Sequence, residues 1–541
     1  MSRYRTLFDK GARTMRQLRG FLNSTWVDGQ PSRTKLYNPS TGEAVAEVLE
    51  PSSSDLVAGL ELARTKGGPE LRQMTYAQRA EILTGMAEVN AAHAQELDEL
   101  AMVNGGKTKA GAQFDVGGGT YTLQHYAELG RGIGDAKYRT DGRWLQLSSR
   151  HLQFIGQHVW VPVSGVAIGI NADNFPAWSL AQKVARSILA GVSFLCKPAT
   201  ATALVAHRMV ELWVEAGILP DGVLQLFMGD FSSHLGNLQE DDVIAFTGSA
   251  ETGGRIAYHT RRIGYRFSAE TDSSNAAALG PDVQDGSPTW QLFIDHAVFA
   301  TTFLTGQMCT SLRRLLVPRE KTQAVVDALV AELSKVVVGN PADPSVTIGP
   351  LTTADRLREV QRGLRLLRQE GRVVYEGQGS RSPVGGTPSG NFFWPTVVLV
   401  NEGIEALMSQ HLEVFGPVIQ ITAVDPKPSV VSEVSARGGG SLVGAVYSDD
   451  VPWVTAVAQG LMGHTGRVYV ANSRVDRKAP NPATVLPHLV HGGPGRAGGG
   501  EELGGLRGLE AFQRRVALEG DEWLVNAVIG TPRTREAVAA S

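Results

Sequence analysis

The chain has 541 residues, 42% of them hydrophobic and 19% charged, with a net charge of −3. That composition excludes a disordered chain, and 51 basic against 54 acidic residues argue against a general nucleic-acid binder. Apolar runs stop short of the roughly 18 residues a membrane span needs, and two cysteines exclude a disulfide framework or a Cys-type zinc site, so the cytoplasm is the expected compartment.

Residues 1–17 read as a flexible extension. Basic residues such as Arg3, Arg5, Lys10 and Arg13 face a single acid, Asp9, no secretory apolar stretch follows, and Met15 offers an alternative start. Residues 76–102 read as one helix, with Ile82, Leu83, Met86 and Val89 at spacings of three and four. From about residue 158 short apolar runs alternate with helical stretches. Val166–Ile170, Ser193–Cys196, Val223–Phe227 and Val243–Phe246 read as strands buried on both faces. Residues 177–190 and 202–216 read as helices, and Gly248-Ser249 opens another. This alternation predicts a parallel sheet that takes ligands at the carboxyl ends of its strands. Residues 293–306 read as helix, and alternation resumes from about 313 to 470 as a second α/β domain. Residues 486–508 are dense in glycine and are not a core element.

Cys196 lies inside an apolar strand and reads as a small buried hydrophobe. Cys309, in Gly306-Gln-Met-Cys-Thr310, is bordered by glycine and small polar residues and is a candidate nucleophile. Glu270, at a strand end in Ser268–Asn275, is either a general base or a solvated loop acid. Asn174, beyond the Val166–Ile170 strand, is either an oxyanion donor or a turn residue before the Pro176 helix. Lys197 ends a strand, where it meets a ribose or phosphate or simply solvent. Phe246–Gly253 has the order strand, glycine turn, helix start, which suits a pyrophosphate, but there is no Walker loop. No histidine pair has metal-ligand spacing, and no Gly-x-Ser-x-Gly elbow occurs, so no metal is expected.

Taken in order, these segments resemble the aldehyde dehydrogenase superfamily. The resembling stretches are Asn-Phe-Pro at 174–176, Lys-Pro-Ala at 197–199, Phe-Thr-Gly-Ser at 246–249, Glu270, Gly-Gln-x-Cys at 306–309 and Glu-Val-Phe-Gly-Pro at 413–417. Glu-x-Asp-Ser at 270–273, the 39-residue separation of Glu270 and Cys309, and the run His491–Gly505 are most similar to the branch that oxidises CoA-linked semialdehydes in aerobic phenylacetate and benzoyl-CoA degradation. The hydratase domain of the bifunctional phenylacetate enzyme is not expected in this chain.

The resemblance implies an α/β fold: a Rossmann-like cofactor domain over 18–136 and 161–280, an α/β catalytic domain over 281–486, a small bridging β segment for oligomerisation from 137–160 and 487–520, and a tail over 521–541. It implies that Cys309 attacks the aldehyde, that Asn174 and the Cys309 N–H hold the oxyanion, and that Glu270 activates the water that hydrolyses the thioester. Lys197, Thr200, Gly248, Ser249, Gly253, Glu413 and Phe415 are the implied cofactor residues, and Trp178, Met308 and Thr310 shape the substrate channel. Thr200 stands where many NAD-using relatives carry a glutamate, so NADP is favoured over NAD. Asp173 departs from the branch and either raises the Cys309 pKa or points to solvent. The expected partners are a small, CoA-linked aldehyde and a second copy of the chain in a homodimer. Two rival readings are a CoA-acylating dehydrogenase and a dinucleotide-binding protein without turnover.

Overall fold

The computed structural model describes residues 15–260, 266–377, 381–400 and 406–530. Residues 1–14, most of the expected extension, and 531–541 of the expected tail lie outside them. The described chain opens with five strands, β1 (Arg16–Leu18), β2 (Gly20–Leu22), β3 (Thr25–Val27), β4 (Gln30–Tyr37) and β5 (Ala44–Glu50). Burial of Leu18 and Val48 draws Arg16–Leu18 out of the expected extension and into a small sheet ordered β1-β5-β4.

Helices α1 (Tyr76–Ala92), α2 (Ala94–Gly105) and α3 (Lys109–Ile133) come next among the longer helices. The single helix expected over 76–102 is two, because the backbone at His93 leaves the helical region (φ −110°, ψ 16°). A capping box of Thr75 and Gln78 starts α1 by satisfying donors that the first turn leaves unpaired. Strands β6 (Arg139–Gln146) and β7 (Phe154–Pro162) then pair antiparallel.

From residue 167 the expected alternation is present. It runs β8 (Ala167–Ile170), α4 (Pro176–Ala190), β9 (Phe194–Lys197), α5 (Ala203–Glu215), β10 (Leu224–Leu226), β11 (Val243–Thr247), α6 (Ala250–Thr260) and β12 (Arg266–Glu270). The sheet is ordered β12-β11-β8-β9-β10-β2-β3, parallel as far as β10, with β2 and β3 added antiparallel at one edge. Ile168, Phe194, Leu195 and Ile244 are fully buried, so both faces are covered and the strands need no polar alternation. Helix α4 is buried at every position; Pro176 sits in its first turn, and Gly191 (φ 89°) ends it.

A second sheet has the order β15-β16-β17-β14-β13-β18-β19. Its strands are β13 (Asn275–Leu279), β14 (Leu312–Pro318), β15 (Gly371–Glu376), β16 (Thr396–Val400), β17 (Val418–Val424), β18 (Ser441–Tyr447) and β19 (Thr465–Ala471). Helix α7 (Pro288–Thr302) joins β13 to β14, and α8 (Ala354–Glu370) precedes β15. Sheet membership changes between Glu270 and Asn275, ahead of the expected border at 280, because Ala276–Leu279 already pairs with β14 and β18. Thr271–Ser274 therefore carry the chain from the carboxyl end of one sheet into the other.

The glycine-dense stretch forms a hairpin of β20 (Val490–Gly492) and β21 (Glu501–Leu503), and β22 (Gln513–Asp521) pairs with β7 to complete a three-stranded sheet ordered β22-β7-β6. Part of the expected tail is ordered: Val525 and Ile529 of α9 (Glu522–Ile529) bury themselves against Ile155 and Val159. No helix among the described residues is long and apolar enough to cross a membrane.

Trp213 of α5 is fully buried and donates its ring N–H to Asn90 Oδ1 at 2.9 Å and to the Met86 carbonyl at 3.2 Å. Trp213→Ala should leave a cavity and two unpaired acceptors, a loss of about 3–5 kcal/mol. The check is thermal unfolding, where a melting temperature equal to the wild type's would contradict it.

Candidate active site

Cys309 lies on the turn between α7 and β14, and the turn is held from several sides. Leu304, Thr305 and Gly306 have φ of 49°, 58° and 67°, a left-handed run that costs free energy for the two residues bearing side chains. Thr305 Oγ1 offsets part of this by donating to the Gly349 carbonyl at 3.0 Å. The buried Arg313 guanidinium donates to the carbonyls of Gly306 (2.8 Å), Met308 (3.0 Å) and Gly416 (3.2 Å). Asn275 Nδ2 donates to the carbonyls of Cys309 (2.8 Å) and Ser311 (2.9 Å). Asn174 Nδ2 donates to the Gln307 carbonyl at 3.1 Å, which leaves its second amide hydrogen for a ligand.

Glu270, the last residue of β12, reaches the same point from the other sheet. Its Oε2 lies 2.9 Å from His491 Nε2, and that nitrogen lies 3.9 Å from Cys309 Sγ. Glu270 Oε1 is buried without a hydrogen-bond partner among the described residues. Burial pushes the Glu270 carboxyl upward, but the His491 ring, the Cys309 thiol and Lys183 together outweigh it and hold the carboxyl below its ordinary range. Burial pushes the Cys309 thiol well above its ordinary value, and the Glu270 carboxylate adds to the shift. Behind the group, buried Glu502 accepts from Gln182 Nε2 at 2.7 Å and lies 3.6 Å from both Lys183 and Arg186. Lys183 in turn donates to Thr247 Oγ1 at 2.7 Å.

Two cavities meet at Cys309, and Asn174, Glu270 and Thr247 line both. One is a cleft at the strand ends, bounded by Gly248, Ser249, Glu413, Phe415 and Arg356. The other is a narrower, largely apolar passage bounded by Phe114, Trp178, Thr310, Val485 and His491. Trp178 is fixed there by its ring N–H, which donates to Thr122 Oγ1 at 2.9 Å. Met308, expected in the channel, does not line it: its side chain is fully buried beneath the turn with Leu304 and Ala483, because the turn directs it into the core. Glu413 Oε2 accepts from the Ser273 N–H at 2.8 Å, and burial lifts its carboxyl to about 7 despite Arg313.

Lys197, Thr200 and Gly253 line neither cavity. Lys197 ends β9, Thr200 opens the short turn after it, and Gly253 packs inside α6 against Thr271. Cys196 is fully buried, and burial pushes its thiol up to about 12, in keeping with a packing residue. Asp173 fits neither alternative considered for it. It is paired with Arg356 through two contacts of 3.0 and 3.1 Å and accepts from Thr352 Oγ1 at 2.8 Å.

His491, Glu502, Lys183, Arg313 and Arg356 are the site residues that sequence reading did not single out. A search for metal-like spacing passes over His491, because its partner Glu270 is remote in the chain. The available signal was its place at the head of the distinctive glycine-dense run.

The aldehyde dehydrogenase family profile matches residues 26–516. The chain is 37% identical over 482 residues to the 3,4-dehydroadipyl-CoA semialdehyde dehydrogenase of Aromatoleum evansii, covering 88% of this chain and 93% of that protein. A point variant of Staphylococcus aureus betaine aldehyde dehydrogenase, solved in complex with NAD+, is similar with a TM-score of 0.80 at 23% identity, over 93% of this chain and 97% of that one. Aldehyde dehydrogenase 21 of Physcomitrella patens, in complex with the reaction product succinate, gives a TM-score of 0.79 at 21% identity, over 94% and 99%. The chain belongs to the aldehyde dehydrogenase family and is an oxidoreductase acting on aldehydes.

A Cβ at Gly306 would stand 2.3 Å from the Gly416 carbonyl oxygen, whereas a Cβ at Gly117 meets nothing. Gly306→Ala is therefore expected to shift the Cys309 turn and lower aldehyde turnover at least about tenfold, with a lower melting temperature. Gly117→Ala should leave both unchanged. Full activity in Gly306→Ala would refute the reading of the turn.

Proposed function

We propose that this enzyme oxidises a CoA-linked semialdehyde to the carboxylic acid, with NADP as hydride acceptor and Cys309 as the acyl carrier. The observation that carries the reading is the meeting of a thiol, a carboxylate with one free oxygen, and a side-chain amide at the junction of two cavities. The substrate class is supported by the name of the Aromatoleum evansii relative and its 37% identity.

Cys309, as the thiolate after losing its proton to solvent, attacks the aldehyde carbon arriving through the apolar passage. Asn174 Nδ2 and the Cys309 N–H donate to the oxyanion of the thiohemiacetal. The donor set of the cleft suits a dinucleotide: a helix start at Gly248-Ser249 faces it for phosphate, and the Glu413 carboxylate faces it for ribose hydroxyls. When bound there, with Phe415 beside it, a nicotinamide dinucleotide supplies the hydride acceptor that turns the thiohemiacetal into a thioester. Glu270 then takes a proton from water, the hydroxyl adds to the thioester carbon, and the C–S bond breaks with its electron pair returning to Cys309. A carboxylate poised for that water speaks against acyl transfer to free CoA.

For the cofactor, the preference rests on the resemblance: Thr200, outside the cleft, is neutral where many NAD-using relatives carry a glutamate that would repel a 2′-phosphate, and Ser249 adds a donor inside the cleft. A homodimer is supported by exposed apolar side chains on and beside the three-stranded sheet, Leu145 at 60% and Leu152 at 71% exposure.

Two measurements test the proposal. With CoA-linked semialdehydes beside simple aldehydes, Cys309→Ala should lose all reduction of NADP. Glu270→Gln should keep a single burst of NADPH while steady turnover falls by about 10²–10⁴; equal turnover on simple aldehydes removes the CoA-linked substrate. In the second, Thr200→Glu should raise the KM for NADP about tenfold or more, roughly 1.4 kcal/mol of binding, and leave NAD little changed. An unchanged NADP/NAD ratio removes the cofactor assignment.

A further inference from the structure

We propose that His491 is the positioning residue of the Glu270 base: its Nε2–H, at hydrogen-bond distance from Glu270 Oε2, fixes the carboxylate so that the free Oε1 meets the water that attacks the Cys309 acyl group. The inference rests on the thioester reading above. It starts from a motif that reading did not use, the glycine-dense run that begins at His491.

Those glycines let one backbone lie directly on another. Gly500 N–H donates to the Ala269 carbonyl at 3.0 Å, and a Cβ on Gly500 would fall 2.6 Å from that oxygen. A Cβ on Gly498 would fall 2.3 Å from the same oxygen. Thr271 N–H donates to the Ala497 carbonyl at 3.0 Å. The hairpin thus grips the residues on both sides of Glu270. Side chains there would hold it away, and the 2.9 Å contact between His491 and Glu270 would be lost.

The hairpin itself is anchored. His491 pairs across it with Glu502, and Glu502 is held by Gln182 at 2.7 Å. His491 is 5% exposed and its Nδ1 has no partner among the described residues, so Glu270 Oε2 is the close acceptor its ring serves. With Oε2 occupied, Oε1 alone is free to take a proton.

In the hydrolytic step the water O–H bond breaks and its proton goes to Glu270 Oε1. The C–O bond forms, and the C–S bond then breaks with its electron pair returning to sulfur. The step needs Glu270 ionised. Without the His491 N–H, burial raises the Glu270 pKa. The carboxyl then stays protonated to higher pH, and the acid limb of deacylation moves upward. The other titratable and charged groups around this point are Lys183 and the Cys309 thiol beside Glu270, and Glu502 with Arg186 behind His491. Across the cleft stand Glu413 with Arg313 and Asp272 with Arg496, and Arg467 lies within electrostatic reach of Cys309.

p-Nitrophenyl acetate separates the two half-reactions without a cofactor or an aldehyde. The Cys309 thiolate displaces p-nitrophenolate in a burst, and hydrolysis of the acetyl thioester sets the steady rate. His491→Phe should keep the burst amplitude within about twofold, lower the steady rate about 10–100-fold at neutral pH, and move the acid limb up by about one unit or more. His491→Gln, whose amide can donate to the carboxylate, should regain at least about tenfold of that rate and lower the limb again. Circular dichroism and NADP binding establish that both variants are folded. A steady rate and acid limb equal to the wild type's in folded His491→Phe overturn the proposal, as does a His491→Gln no better than His491→Phe. A wild type that gives no burst overturns the thioester reading, and this proposal with it.

Discussion

The site depends on how four residues cross from one sheet to the other. Thr271–Ser274 leave β12 and enter β13, and nearly every polar group on them is tied to a different part of the site. Thr271 N–H bonds the hairpin at Ala497, Ser273 N–H bonds Glu413, and the Ser274 carbonyl accepts from Arg314. Ser273 Oγ donates to Asn275 Oδ1, and Asn275 Nδ2 reaches back to the Cys309 carbonyl. A thiol from one sheet and a carboxylate from the other can keep a fixed relation only if the crossing does not flex. The crossing also explains why Glu270 sits at a strand's last residue: one residue further, it would leave the register that β11 imposes on β12.

Charge is buried here at a cost that pairing offsets only in part. Arg314 shows how. Its guanidinium is fully buried, burial lowers it to about 9, and it donates to Gln410 Oε1 and to the carbonyls of Ser274, Val434 and Ser435. Arg313 does the same for Gly306, Met308 and Gly416. These cations substitute for water on loop carbonyls that no ladder reaches. Apolar replacements of the same size would leave those carbonyls unpaired, so the cations act chiefly on the shape of the loops and less on net stability.

Most of the first sheet was legible in the sequence, because strands buried on both faces are written as short continuous apolar runs. The helices between them were legible from periodicity and glycine stops. Asn174, Glu270 and Cys309 were candidates by local setting only beside structural alternatives, and it was the order of the motifs along the chain that set them together. What could not be read is contact at long range. His491 meets Glu270 across more than two hundred positions, and Glu502 meets Lys183 across more than three hundred. Met308 shows the limit at short range, since adjacency to Cys309 says nothing of which way a turn directs a side chain. The break at His93 is invisible to a periodic pattern that remains in phase on both sides. The early change of sheet at Asn275 is invisible because an apolar run does not name the sheet it joins.

Asp173 was the sequence's clearest anomaly, and its surroundings turn it into part of a wall. Its carboxylate pairs with Arg356, whose guanidinium lies 5.1 Å from the Phe415 ring centre. Arg313 lies 5.4 Å from the same ring, and it meets Glu413 at 3.5 Å. Acid, cation, ring, cation and acid thus follow one another along the cleft. Each cation meets both a carboxylate and an aromatic face, so the ring is positioned by electrostatics as well as by packing. An unpaired acid beside Asn174 would disfavour the oxyanion proposed to bind there. Paired with Arg356, Asp173 can stand there without that penalty, and the cation it recruits helps to hold the aromatic ring that borders the cleft.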